Sequence, residues 1–168
     1  MEIVLDPPRG VGPLRLGMTA DEARAALQTL GRLTPTAHGE LAMHLPSGLG
    51  FSVGFGVGPT HGRVNAIEVW RPGERDLVRY HDVDVFGLPA AAVVTRLRRH
   101  VDLVANEDDD GFTARGLYLA LWRPFAADDD PDEEQGYFFQ SVFVARPGYD
   151  DTPAEAAARL AAGDEPGY

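Results

Sequence analysis

Residues 11–31, VGPLRLGMTADEARAALQTLG, decide how the rest of the chain is read. Thr19 and Glu22 stand as a T-x-x-E capping box. In such a box the Thr19 hydroxyl accepts from the Glu22 backbone N–H, and the Glu22 carboxylate reaches back to the N–H of Thr19. Asp21 and Glu22 also suit the positive end of a helix. Ala23, Ala26, Leu27 and Leu30 fall at i, i+3, i+4 and i+7, which makes one side apolar. Gly31 is the expected stop. Gly17, between Leu16 and the cap, marks a tight approach or a φ that a side chain resists. The stretch predicts a short helix entered through a glycine-rich corner.

Working outward, residues 2–5 predict a short strand closed by Pro7 and Pro8, and residues 41–45 a strand ended by Pro46-Ser47-Gly48. Residues 49–57 alternate: Leu49, Phe51, Val53, Phe55 and Val57 point one way, and Gly50, Ser52, Gly54 and Gly56 the other. Residues 63–70 predict another strand, stopped by Arg71-Pro72-Gly73. Residues 74–84 connect to a second helix that starts near Pro89, with Ala90, Val93, Val94, Leu97 and Val101 as its stripe. Strands are expected at 116–122 and 137–145. A final Ala-rich helix opens at Thr152, Pro153 and Glu155 with another capping box.

The two halves correspond. Leu16-Gly17 answers Phe86-Gly87, and Leu27 answers Leu97. Gly48 with Leu49, Phe51 and Val53 answers Gly116 with Leu117, Leu119 and Leu121. Ile67-x-Val69-x-Arg71-Pro72-Gly73 answers Val142-x-Val144-x-Arg146-Pro147-Gly148. The expectation is an α+β fold of two tandem helix–strand repeats, residues 1–73 and 74–149, with residues 150–168 as a C-terminal helix and tail. The repeats would share one curved antiparallel sheet with helices on one face.

The Gly17-Met18-Thr19 corner, with Glu22, Leu27 and the duplication behind it, resembles the β-lactamase inhibitor protein family. It is similar, more weakly, to the small lipoprotein of the outer-membrane barrel assembly machinery. The first resemblance implies two tandem units forming a curved sheet whose open face grips a partner protein. About ten residues of the first half carry it. The chain departs from that family in having no cysteine, no export signal is expected from its opening residues, and Gly87-Leu88-Pro89 stands where the second corner would repeat Gly-Met-Thr. Architecture is carried over; no target and no inhibitory contact residue are.

Composition narrows the function. The 168 residues suffice for a core without metal or disulfide staples. The absence of cysteine removes disulfides, zinc thiolates and Cys nucleophiles. A net charge of −11 repels nucleic acid and anionic lipid and favours basic partners. Without a basic n-region, a secretory leader or an apolar run of about 20 residues, a cytoplasmic location is expected, with no membrane and no nucleic-acid partner.

Motifs that could carry chemistry are incomplete. Gly50-x-Ser52-x-Gly54 spells G-x-S-x-G, but a nucleophile elbow needs a helix directly after the serine, and here strand alternation continues. Asn106-x-Asp108-x-Asp110-Gly111 copies half of a calcium loop, yet Leu117 stands where a bidentate Glu is required. Residues 128–134 are dense in carboxylate and read as a mobile, self-repelling loop or a contact for a basic partner. His38, His44, His61, His81 and His100 show no metal-binding spacing, with His44 and His81 expected to be half-buried. The chain is thus expected to be no enzyme and to need no cofactor.

The strands carry the most informative pattern. With their aliphatic side toward the helices, alternation turns Trp70, Tyr118, Trp122, Tyr137, Phe139 and Phe143 the other way, between Gly50, Ser52, Gly54 and Ala120. An open face this rich in aromatic residues predicts an interaction surface. The expectation is an inhibitor- or immunity-like protein that binds another protein there. Two alternatives stand beside it. One is a small-ligand binder or enzyme using the glycine-floored groove, with Ser52, Glu68, Tyr118 or Arg71 as polar contacts. The other is a structural homodimer joined at the same face, and the C-terminal helix or the N-terminal strand could equally cover it.

Overall fold

A computed structural model describes residues 1–36, 40–73 and 76–163. His38, the first residue of the expected second half (Glu74) and the tail beyond 163 lie outside the described residues. In chain order the elements are β1 (Glu2–Asp6), β2 (Gly10–Val11), β3 (Leu14–Arg15), α1 (Ala20–Gln28), β4 (Leu41–His44), β5 (Gly50–Phe55), β6 (Val64–Trp70), β7 (Leu77–Tyr80) and β8 (Val83–Asp84). Then follow α2 (Ala90–Leu97), β9 (Val104–Ala105), β10 (Gly111–Ala114), β11 (Leu119–Trp122), α3 (Glu134–Tyr137), β12 (Ser141–Ala145) and α4 (Pro153–Ala161).

The fold is α+β, with two sheets where one was expected. The larger runs β4-β5-β6-β12-β11-β10-β9, antiparallel throughout. The smaller runs β3-β2-β1-β7-β8, with β1 and β7 parallel. It arises because residues read as a connection form a hairpin. Val78, Val83 and Val85 are buried, and their alternation is masked in the sequence by Arg79, Asp82 and Asp84. Both sheets, α1 and α2 close over one continuous core that includes Ile3, Leu14, Leu27, Phe51, Ile67 and Leu97.

The first corner forms as its sequence dictates. Thr19 Oγ1 accepts from Glu22 N at 3.2 Å, and Glu22 Oε2 accepts from Thr19 N at 2.9 Å. Ala23 and Leu27 bury their side chains, while Ala26 and Leu30 pack at the core margin. Gly17 has a φ of +89°. In that conformation its N–H donates to Val64 O at 2.8 Å, and Val64 N donates back to Met18 O at 2.8 Å, fastening the corner to the start of β6.

The second corner keeps its glycine for a different reason. Asp84 Oδ1 accepts from Phe86 N at 3.1 Å and from Gly87 N at 2.9 Å. A Cβ on Gly87 would lie 2.1 Å from Asp84 Oδ2, so the carboxylate occupies the space a side chain needs. Pro89 caps α2 without a side-chain bond, and Ala90, Val93, Val94 and Leu97 face the core.

Two expected strands are shorter than their apolar runs. Residues 115–117 form a 3₁₀ turn, Tyr118 takes a left-handed φ of +51°, and β11 begins only at Leu119. Residues 134–137 are helical, so β12 begins at Ser141 rather than at Tyr137. These offsets matter for the face that the aromatic residues occupy.

Candidate functional site

Alternation along the central strands sorts the larger sheet into two sides. Phe51, Val69, Val142, Leu121 and Phe112 share one row across β5, β6, β12, β11 and β10, and all are buried. Their neighbours along each strand face the other way. One outer row runs His44, Gly50, Trp70, Ser141, Trp122, Gly111; the next runs Ala42, Ser52, Glu68, Phe143, Ala120, Thr113.

Trp70 and Trp122 therefore flank Ser141 in register, about 10 Å apart at the backbone by ordinary strand spacing. Trp122 is 42% exposed, Trp70 is half-buried, and Ser141 between them is closed off. Phe143 lies on the same side, half-buried, with the exposed Tyr149 edge-on to it at 5.3 Å between ring centroids. Tyr118 is half-buried just outside the strand, with its carbonyl accepting from Ala145 N at 3.0 Å.

The remaining two expected aromatic residues are elsewhere. Phe139 is 0% exposed and meets Phe112 edge-on at 5.6 Å, so it belongs to the core and is corrected from the open face. Tyr137 sits on α3, edge-on to Phe138 at 5.0 Å. The extended alternation assumed from residue 137 is interrupted by this helical turn, which moves both side chains out of register.

Beside the tryptophans the outer side dips into a groove of about 570 Å³. Ser52, Gly54 and Ala66 form its floor, Glu68 lies within it, and Phe143 with Tyr149 walls one side. Glu68 is paired across the sheet with Ser52 on β5 and Phe143 on β12. Among the described residues its carboxylate and the Ser52 hydroxyl have no hydrogen-bond or ion-pair partner. Arg71 does not join them. Its Nε donates to Phe86 O at 3.3 Å and its guanidinium covers the Phe138 ring at 4.2 Å.

The other motifs resolve as structure. Ser52 lies in mid-strand between Ala42 and Glu68, not at an elbow. Asn106 folds its side chain onto its own loop, accepting from Asp110 N and Gly111 N at 3.2 Å each and donating to the Asp110 carboxylate. Among the described residues no group of three or more His, Asp or Glu is arranged to hold a metal ion. His44 and His81 are exposed rather than half-buried, because one lies on the edge strand β4 and the other at the tip of a hairpin. His81 stacks on His100 at 4.1 Å.

The loop at 128–134, read as mobile, is bonded at its two ends, where Asp128 and Gly136 accept from one side chain. Its anchor is Arg123, a residue that the sequence reading missed. Its signal was present: Arg123 is the one basic residue between Arg115 and Arg146, placed between two acidic loops. At 1% exposure it donates to Asp128 Oδ1 at 2.6 Å, Gly136 O at 2.7 Å and Asp109 O at 3.0 Å. The C-terminal helix leaves Trp122 open, although its Arg159 interacts with Tyr118. Its described side chains are exposed or half-buried, and Arg159 holds Asp151 at 2.8 Å, a bond that keeps the Asp151 carboxyl below its ordinary pKa.

No helix among the described residues is long and apolar enough to cross a membrane. Comparison of the chain with protein-family models, curated proteins and solved structures found no match.

Proposed function

We propose that the chain is a duplicated, non-enzymatic binding protein of the cytoplasm that engages another protein through the outer side of its larger sheet. The observation that carries this reading is the in-register pair Trp70 and Trp122, half-buried and exposed, beside Phe143 and Tyr149. Large aromatic residues held rigid on a strand surface lose little entropy on docking and dominate interface energetics. The chain's charge of −11 selects a basic partner.

Duplication is supported by the register. A two-fold axis through the Glu68–Phe143 pair carries Ile67 onto Val142 and Val69 onto Val144. It also carries Phe51 onto Leu119 and Val53 onto Leu121. These are the correspondences found by laying the two halves of the sequence together. The leading strands β1 and β7 of the halves lie side by side, parallel, in the smaller sheet. The likeness to β-lactamase inhibitor proteins belongs to this proposal and rests on the same corner and duplication.

The test is capture of a protein by the immobilised chain, identification by mass spectrometry, and remeasurement with purified partner. Trp70→Ala and Trp122→Ala together should weaken binding at least about 100-fold, as loss of two central anchors does. Unchanged affinity would overturn the reading. The groove supports a second reading, a small-ligand site built on Ser52 and Glu68. Self-association of the purified chain, lost in the same double variant, would instead make the face a dimer interface.

A further inference from the structure

The outer groove contains an arrangement that an aromatic docking surface alone does not require. Glu68 is half-buried on the interior strand β6, with Ser52 beside it on one neighbouring strand and Phe143 on the other. Directly opposed side chains on adjacent strands have Cβ atoms about 5 Å apart. The Glu68 side chain therefore neighbours the Phe143 ring on one strand and, on the other, the Ser52 hydroxyl, which has no hydrogen-bond partner among the described residues. Gly54 and Ala66 keep the floor low around it. The groove lining, Glu40 included, carries two carboxylates and no basic side chain among the described residues.

Each of these groups is satisfied by one kind of occupant. A planar cation hydrogen-bonds to Glu68 and Ser52 while lying against Phe143 and Tyr149, whose ring faces attract it. We infer that the groove is the subsite for an arginine side chain of the docked protein partner. Guanidinium fits better than ammonium here because it stacks on rings and loses less hydration on burial. This rests on reading the outer side as a protein-docking face, and it names the residue of the partner that the groove selects.

The probe is L-arginine amide, followed by chemical-shift changes in the amide and aromatic spectra of the full chain, with L-citrulline amide as the uncharged isostere. One charge-assisted contact with one ring corresponds to a Kd on the order of 1 mM. Arginine amide should shift Ser52, Glu68, Phe143 and Tyr149 saturably, citrulline amide should not, and Glu68→Gln should weaken the response about tenfold. Unchanged spectra elsewhere in Glu68→Gln establish that the variant is folded. Equal responses to the two amides, no response, or an unaltered response in Glu68→Gln each overturn the subsite. In that event the partner's loss in the tryptophan double variant still decides docking separately.

Discussion

Arg123 and Asp128 form an ion pair, 2.6 Å between Nη1 and Oδ1, in which the arginine is 1% exposed and the aspartate side chain is 45% exposed. The asymmetry sets the expected mutational response. Removing Arg123 leaves the Asp109 carbonyl without its donor, leaves the Gly136 carbonyl with Ala127 N alone, and leaves a hole beneath Phe139. Arg123→Ala should cost about 3–5 kcal/mol, because it empties a closed position and leaves a carbonyl unpaired, while the exposed Asp128 carboxylate is free to hydrate. Asp128→Asn keeps an acceptor for the buried guanidinium and changes a side chain that is itself 45% exposed, so it should cost less, about 1.5 kcal/mol. Urea unfolding midpoints of the two variants check this; equal losses would refute the anchoring role.

Phe139 and Trp122 test which aromatic residues hold the molecule together and which are available to others. Phe139→Ala should lower stability by about 3–5 kcal/mol, because it empties a closed position against Phe112. Trp122→Ala removes a ring that is 42% exposed and fills no closed position, and should cost less than Phe139→Ala, about 1 kcal/mol. Denaturant unfolding measures both. A large loss for Trp122 would mean that its ring serves the fold.

This division also shows where the sequence is readable. The first corner and α1 are legible because cap, stripe and stop are local and mutually consistent. β5 and β6 are legible because strict alternation leaves one register. The second half misleads at two points, both set by long-range contacts. The apolar run from residue 137 hides a helical turn whose Gly136 carbonyl is held by Arg123. Alternation through Leu117 breaks at Tyr118, whose left-handed backbone reorients the chain before β11. The hairpin at residues 77–84 escaped notice because its partner strand, β1, lies more than seventy residues away. For the site, the tryptophans and Phe143 followed from period-2 reasoning, whereas Tyr149 lies in a turn and joins them only through folding.

The two glycine corners predict different responses to the same substitution. Gly17→Ala forces a Cβ into a φ of +89° and should cost about 1–3 kcal/mol through backbone strain. Gly87→Ala meets no such backbone conflict but displaces the Asp84 carboxylate from the Phe86 and Gly87 N–H groups. Combining Gly87→Ala with Asp84→Ala should therefore cost less than the sum of the two single changes, by about 1 kcal/mol. The double-mutant cycle in thermal or urea unfolding measures this. Additive losses would show that Gly87 is constrained by something other than Asp84.

The C-terminal helix gives a pH prediction with a definite sign. Hydrogen bonding from Arg159 lowers the Asp151 pKa, and bonds from the Thr152 backbone and hydroxyl region lower that of Glu155, from ordinary values of 3.8 and 4.5. Folded-state values below the unfolded ones mean that the unfolded segment binds more protons as pH falls. Stabilisation of α4 is thus complete above the ordinary carboxylate range and is lost as pH drops through the lowered values. Helical chemical shifts of Ala156–Ala158 should hold from neutral pH and collapse on acidification, while β5 amides report whether the whole chain has unfolded. Asp151→Asn and Glu155→Gln should weaken α4 at neutral pH and flatten this dependence. A helix signal that survives acid while both carboxyls are protonated would show that packing, and not the charged cap, holds α4 in place.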